Sequence, residues 1–173
     1  MYIHTFSLLL IVVQDGDSKA NFDIRTPTLL LDIETLFSLD APQTDSINGS
    51  VFDWWYFDAV SETNSGDSLV ITFFASSVAA FPFLNANETS VTTAYVWASF
   101  ANGTVFAGSV PATFATVAGV DGGTNSSGEW HSAGFNWAAL TDNLSKYEVV
   151  IVSESLQVKG RLTLTSASIK YNT

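Results

Sequence analysis

The chain of 173 residues has no cysteine, only six lysines and arginines, and only two histidines. Without cysteine it cannot form disulfides, thiol nucleophiles or Cys-ligated zinc and iron–sulfur sites. The shortage of basic residues gives a formal net charge of −11 at pH 7, which argues against nucleic acid or an anionic membrane surface as a partner. No apolar run is long enough to cross a bilayer, so we expect no membrane span.

The residues that usually carry acid–base, nucleophilic or metal catalysis are also scarce. No Gly-x-Ser-x-Gly elbow accompanies His131, so we expect a surface or hydrogen-bonded structural histidine rather than a member of a serine triad. Asp53 and Asp58 would lie on opposite faces of a regular strand, which disfavours a glycosidase pair. The segment Asp121 to Gly128 lacks the lysine of a phosphate-binding loop and is predicted to be a surface loop. We therefore predict no metal and no cofactor, and we assign no catalytic residue.

The remaining composition is that of one globular domain rich in strands. Hydrophobic residues make up 47% of the chain, which suits a sizeable core together with a lined pocket or a covered interface. From residue 51 onward the segments are rich in β-branched and aromatic residues. Beyond an aromatic block at 51–60, we predict strands at Ser68 to Ser76, Val91 to Phe100, Thr104 to Ala107, Glu129 to Trp137, Tyr147 to Val152 and Leu156 to Ser166. The fold class is thus all-β, an antiparallel barrel or sandwich.

Two local patterns support this assignment. Asn102-Gly103 is a strong signal for a two-residue hairpin between two of the predicted strands. In Leu156 to Ser166 apolar and polar residues alternate, which is typical of a half-buried antiparallel strand. Gly160 falls on the apolar face of that strand, where we expect a bulge or a close approach.

Two other patterns are less regular. Trp130 and Trp137 lie an odd number of positions apart, so a single regular strand would turn at most one of them inward. The segment Thr28 to Leu39 fits neither the helical nor the strand period cleanly. A short helix and an early strand both remain open there.

The most informative segment is the aromatic block, which contains four consecutive aromatic residues. In a strand, successive side chains point to opposite faces. One face then carries Asp53, Trp55, Phe57 and Ala59, and the other carries Phe52, Trp54, Tyr56, Asp58 and Val60. Both faces are bulky and apolar, so one packs as core and the other meets a second layer, a partner or a ligand. The sequence alone leaves open which face is which.

The Asp-Trp-Trp-Tyr-Phe-Asp run at 53–58 resembles a signature of the fungal Diels-Alderase family, lipocalin-like proteins distantly similar to hydroxyneurosporene synthase-type carotenoid hydratases. The likeness covers roughly Asp40 to Ser168 and extends through Ser68 to Phe74, Phe81 to Leu84, Asn102 to Phe106 and Leu156 to Gly160. It implies a lipocalin-like β-domain at 21–173 that is the first of two in tandem, the second lying outside this chain.

The resemblance also implies a function, the intramolecular cycloaddition of a linear polyene polyketide–amino acid hybrid in secondary metabolite biosynthesis. Such a reaction needs a shaped apolar pocket with a few placed polar groups, and no proton transfer. The candidate substrate-binding residues are Asp53, Trp55, Phe57, Thr72, Phe74, Tyr95 and Trp97. The expected partners are the small apolar polyene and a second β-domain. Two alternatives remain open: a non-catalytic lipocalin-like carrier, and an isoprenoid hydratase with Asp53 or Asp58 as proton donor.

The N-terminus also allows two interpretations. The apolar run Phe6 to Val13, followed by small residues at Ser18-Lys19-Ala20, fits a secretory signal peptide at 1–20, although no Lys or Arg precedes it. Five sequons agree with secretory passage and predict N-glycosylation at Asn48, Asn87, Asn102, Asn125 and Asn143. We expect a secreted or secretory-pathway protein on this interpretation and a cytoplasmic one otherwise.

Overall fold

A computed structural model describes residues 7–12, 29–31, 47, 50–61, 66–81, 90–119 and 126–165. Within these residues all regular structure is β, and no helix occurs. The strands are β1 (Ser7–Val12), β2 (Leu29–Leu31), β3 (Phe52–Val60), β4 (Ser68–Ser76), β5 (Thr92–Ser99), β6 (Val105–Pro111), β7 (Phe114–Gly119), β8 (Ser126–His131), β9 (Phe135–Ala139), β10 (Lys146–Ser153) and β11 (Val158–Thr165). The predicted all-β class is confirmed.

The strands form two sheets. The smaller sheet has four antiparallel strands in the order β3-β4-β5-β6. Its β5–β6 hairpin turns at Ala101-Asn102-Gly103, where Gly103 has a φ of 82° and Phe100 N donates to Thr104 O at 2.9 Å. A glycine with positive φ after a tight turn is the usual way to close a three-residue hairpin loop. The hairpin predicted from Asn102-Gly103 is thus confirmed, but its loop has three residues rather than the predicted two.

The larger sheet has seven strands in the order β1-β11-β10-β9-β8-β7-β2. Neighbours pair antiparallel, except that β2 runs parallel to β7. The ambiguous segment Thr28 to Leu39 therefore contains a short strand at Leu29–Leu31, and residues 32–39 lie outside the described residues. β1, inside the segment that fits a signal peptide, forms the other edge of the sheet by pairing with β11.

Two predictions about the segment 121–137 were wrong. Glu129 to Trp137 is not one strand, because a turn at residues 132–134 divides it into β8 and β9. Ser132 and Gly134 there have φ values of 67° and 75°, which a continuous strand does not allow. The predicted loop from Asp121 to Gly128 also ends earlier than expected, since β8 begins at Ser126, and residues 120–125 lie outside the described residues.

The hairpin also corrects the prediction for the two tryptophans. Trp130 and Trp137 both face the interior, with 0% and 2% of their surface exposed. Each lies on its own strand, so the parity rule for one regular strand does not apply to them. Strand β7 was not predicted at all.

The core lies between the two sheets. Fully buried side chains from both sheets fill it, the largest being Trp130, Trp137, Phe73 and Phe135. Gly160 lies on the inner face of β11, as predicted, and borders a narrow apolar gap with no room for a water molecule. At this point the two sheets therefore pack closely against each other.

Candidate functional site

Strand β3 separates its side chains between the core and the surface. Trp55 and Ala59 are 9% and 5% exposed, whereas Trp54 and Tyr56 are 52% and 50% exposed. Both sets of side chains are apolar. The inner side chains pack in the core, whereas the outer side chains are not buried to a comparable extent. The sequence left open which face of β3 is core, and the structure shows that it is the face with Trp55.

The inner face joins an aromatic cluster that spans the two sheets. Trp55 meets the edge of Trp130 at a centroid distance of 5.4 Å and stacks near Trp137 at 6.4 Å. Phe57 contacts Trp137 at 5.8 Å and Tyr147 at 6.3 Å. Aromatic pairs at these distances stabilise a core beyond simple area burial. Half-buried Asp53 lies on the same face of β3.

The opposite side carries a second aromatic group, which we call the outer aromatic face. It consists of Phe52, Trp54, Tyr56, Phe74 and Phe81. The Phe81 ring lies 4.7 Å from Phe52, 4.8 Å from Phe74 and 5.8 Å from Trp54. The group combines a packed base with exposed rings, which is the arrangement expected of a surface that receives an apolar partner or ligand.

Three further residues border the outer aromatic face through strand register. Thr72 pairs with Tyr56 on one side and with Tyr95 on the other, and Trp97 pairs with Val70 one row away. Thr72 is buried, whereas Tyr95 and Trp97 are half-buried. Hydroxyl groups and large rings therefore extend the face across β4 and β5.

The seven predicted substrate-binding residues thus fall on two sides of one sheet. Asp53, Trp55 and Phe57 point into the sandwich, and the outer side carries Thr72, Phe74, Tyr95 and Trp97. The reason is register: Trp55 pairs with Phe73, so Phe74 must point the other way. Sequence reasoning missed Trp54, Tyr56 and Phe81. The alternation along β3 places Trp54 and Tyr56 on one face. Only the pairing of β3 with β4 shows that Phe74 lies on that same face.

Tyr56 is a polar group at one end of this surface, where its ring lies 6.1 Å from that of Trp54. Partial burial raises the pKa of its hydroxyl above the ordinary value, and the negative charge of Asp58 raises it further. The phenol is protonated at neutral pH even at its ordinary pKa, and the raised pKa extends that state to more alkaline pH. Tyr56 can therefore donate a hydrogen bond to an acceptor oxygen of a molecule on the outer aromatic face.

The other titratable candidates do not assemble into a catalytic group at this surface. Asp53 and Asp58 lie on opposite faces of β3, as alternation predicts. His131 is held on the larger sheet: its Nε2 lies 3.0 Å from Thr116 Oγ1, its Nδ1 lies 3.3 Å from Glu129, and its ring stacks on Phe114. The expectation of a hydrogen-bonded structural histidine is confirmed.

Two of the predicted glycosylation sites lie among the described residues. Asn102 and Asn143 are exposed in turns, and the Oδ1 atom of each accepts a backbone N–H two residues later. Their Nδ2 atoms are thus on the surface side of well-formed turns. Asn48, Asn87 and Asn125 lie outside the described residues.

The described residues contain neither a metal-binding cluster nor a membrane-spanning helix. Among residues 50–61, 66–81, 90–119 and 126–165, no three His, Asp or Glu side chains come together as a metal would need. None of the described segments is a helix of sufficient length and apolarity to span a membrane.

Comparison with known proteins identifies the family. A family model described as Diels-Alderase-like matches residues 25–172. The quinolone epoxide rearrangement protein asqO of Emericella nidulans is 29% identical over 174 residues, which cover 97% of this chain and 46% of that protein. The quinolone epoxide rearrangement protein penF of Penicillium thymicola is 29% identical over 160 residues, or 85% of this chain and 41% of that protein.

The chain therefore spans less than half the length of these two relatives. No solved structure shows a significant match to it. The family match extends over nearly the whole chain, including both described sheets from β2 to β11. The chain belongs to the Diels-Alderase-like family.

Proposed function

We propose that the chain is part of an isomerase-type enzyme of secondary metabolism that cyclises or rearranges an apolar small molecule. The observation that carries this proposal is the outer aromatic face, which lies on the strand with the family-like Trp-Trp-Tyr-Phe run. Trp54 and Tyr56 expose about half of their surface there. Exposed rings beside a protonated phenol provide an apolar platform with one placed hydrogen-bond donor.

The finer proposal is an intramolecular cycloaddition of a linear polyene polyketide–amino acid hybrid. The diene and dienophile belong to one molecule, and the two new carbon–carbon bonds use only their own π electrons. Rate enhancement then comes from holding the chain in a folded, near-attack shape against Trp54 and its neighbours. A hydrogen bond from Tyr56 to a carbonyl conjugated with the dienophile would stabilise the charge that develops on that oxygen.

A second candidate reaction is the rearrangement of a quinolone epoxide, which both relatives have in their names. A planar bicyclic ring matches the flat indole of Trp54, because aromatic rings stack with an offset. Opening an epoxide requires hydrogen bonding or proton donation to its oxygen, and we assign that role to Tyr56 on the same face. Both reactions leave the substrate's elemental composition unchanged.

The test is to incubate the chain together with the proposed second β-domain, with a linear polyene tetramic acid and, separately, with a quinolone epoxide, and to measure product formation by chromatography and mass. We expect Trp54→Ala to slow conversion at least tenfold. Val152→Ala is the matched control, since Val152 is 53% exposed on the larger sheet and should leave the rate unchanged. Equal rates in both variants and in wild type would contradict the proposed site.

The mass of the product separates the alternatives. Isomerisation leaves the mass unchanged, and a hydratase would add one water. A carrier would bind the polyene tightly without altering its conversion. If hydration occurs, Asp53→Asn or Asp58→Asn should abolish it, because these carboxyl groups are the proton donors considered for that reaction.

We further propose that a second β-domain covers the outer aromatic face, and that the protein follows the secretory pathway. The exposed rings support the first proposal. The surface turns at Asn102 and Asn143 support the second. Mass measurement of protein secreted by a fungal host, before and after enzymatic removal of N-glycans, checks it. An unmodified protein that retains residues 1–20 would contradict it.

A further inference from the structure

Two buried polar groups on the inner side of the larger sheet have no hydrogen-bond partner among the described residues. They are the indole nitrogen Nε1 of Trp137 and the hydroxyl Oγ of Ser126. Trp137 is 2% exposed and Ser126 is 0% exposed, so bulk water does not satisfy either group. Buried polar side chains nearly always form hydrogen bonds with protein or with an ordered guest, so a neighbouring unpaired pair requires an explanation.

The two groups lie next to each other because of the β8–β9 register. Gly128 pairs directly with Trp137, and Ser126 precedes Gly128 by two residues on the same face of β8. The indole lies against Gly128 so closely that an added Cβ would collide with its nitrogen. Trp137 Nε1 therefore lies over β8, and Ser126 is the next side chain along that face.

The neighbour on the other side of Gly128 shows how such a group is usually satisfied. Trp130 faces the same interior, and its indole nitrogen donates to the carbonyl oxygen of Phe74 at 3.0 Å. The two tryptophans are thus alike in burial and face but differ in their hydrogen bonding. Burial alone does not account for the unpaired nitrogen of Trp137.

We propose that Trp137 Nε1 and Ser126 Oγ bind one hydrogen-bond-accepting oxygen inside the sandwich. An indole N–H only donates, and a hydroxyl can donate as well, so an oxygen with two lone pairs satisfies both. The β8–β9 register sets the two groups next to each other on one face, so a single oxygen between them would be shared by both.

Either a buried water or the carbonyl group of a small apolar guest can supply this accepting oxygen. Buried waters in proteins typically make two to four such bonds, and a carbonyl would take the same place. The inference stands apart from the proposed reaction, because the inner site and the outer aromatic face lie on different sides of the smaller sheet.

The first test uses Ser126→Ala, which removes only the hydroxyl. If the hydroxyl binds the oxygen, the urea midpoint of unfolding falls by roughly 0.3–1 M, since a net hydrogen bond is lost. Trp130→Phe, which removes a hydrogen bond with a known partner, provides the reference for a loss of stability. An unchanged or higher midpoint in Ser126→Ala would overturn the proposal, because removing an unpaired hydroxyl stabilises a core.

The second test needs no variant to fold. In a proton–nitrogen spectrum of the wild-type protein, the Trp137 indole proton should resonate close to the bonded Trp130 proton. Cross-relaxation to the water signal identifies water as the source, and cross-relaxation to carbon-bound protons of a co-purified molecule identifies a carbonyl guest. A Trp137 proton with neither signal and the shift of a free indole would overturn the binding site.

Discussion

At the scale of single residues, Tyr56 shows how position converts an ordinary side chain into a functional candidate. Its ring is half exposed, and its hydroxyl pKa is raised first by partial burial and then by Asp58. The protonated form is therefore favoured in the folded state. Below the ordinary pKa of 10.0 the group is protonated in both states and stability is unaffected; as pH rises above that value, the folded state loses stability.

Asp58→Asn should lower the pKa of Tyr56 toward its ordinary value, because the repulsion between carboxylate and phenolate disappears. The contribution of burial remains, so the shift is partial. The measurement is an alkaline titration of tyrosine absorbance, with Tyr56→Phe subtracted to isolate one of the five tyrosines. Asp142→Asn, a change at an exposed turn, is the control. A pKa that is equal in Asp58→Asn and wild type would show that the carboxylate has no electrostatic effect on Tyr56.

The residue scale also shows the limit of sequence reasoning about the site. Alternation assigns Asp53, Trp55 and Phe57 correctly to one face of β3, but it assigns no direction to that face. The direction depends on Trp130 and Trp137, which lie more than seventy positions away and reach β3 only through the packing of two sheets. Packing between residues so far apart in the sequence cannot be read from the residue pattern of one strand.

At the scale of elements, strands were predictable where the residue types and their alternation indicate the same structure. β4 was predicted with its observed bounds, and the alternation in Leu156 to Ser166 matches β11 after its first two residues, which belong to a turn. The β8–β9 turn was missed because one glycine among strand-forming residues gives a weak signal. Only the backbone shows why it is needed, with positive φ at Ser132 and Gly134.

Gly134→Ala should destabilise the protein by about 3 kcal/mol. A residue with Cβ at positive φ costs about 1–2 kcal/mol, and here the Cβ would also collide with the carbonyl oxygen of Val152, an overpacking cost of roughly 1–3 kcal/mol. Gly103→Ala is the matched control: its φ is 82° but nothing lies within 4 Å of the added Cβ. It should cost only the backbone term, about 1 kcal/mol.

Urea unfolding of both variants checks the difference. The free energy of unfolding should fall clearly more for Gly134→Ala than for Gly103→Ala. Equal losses would mean that the loop moves away from Val152 at little cost, and that the turn is not locked to β10.

At the scale of the whole molecule, the smaller sheet carries large exposed aromatic rings on its outer side, whereas the larger sheet carries charged groups on its outer side, such as the pair Arg161–Glu148 at 3.1 Å. Fold class and the two-sided character of β3 were predictable, because both follow from composition and a period of two. The arrangement of sheets was not, since β2 joins β7 across more than eighty residues.

This asymmetry predicts that residues 1–173 expressed alone will self-associate or bind a hydrophobic dye despite a net charge of −11. Without a covering β-domain the chain should also be inactive. Dye fluorescence and light scattering measure this, and replacing Trp54 and Tyr56 with Ser should reduce both signals. Adding the second β-domain should suppress the dye signal and restore activity. A monodisperse, dye-silent and fully active chain would contradict the proposed cover.

The alternation of β3 has a consequence for protein engineering. Odd-numbered positions from Asp53 to Ala59 point into the sandwich, and even-numbered positions from Phe52 to Val60 point away from it. A combinatorial library that randomises only the even positions would alter the outer aromatic face while leaving the interior composition intact. On the proposed function, natural drift at these positions would change substrate specificity without loss of foldability.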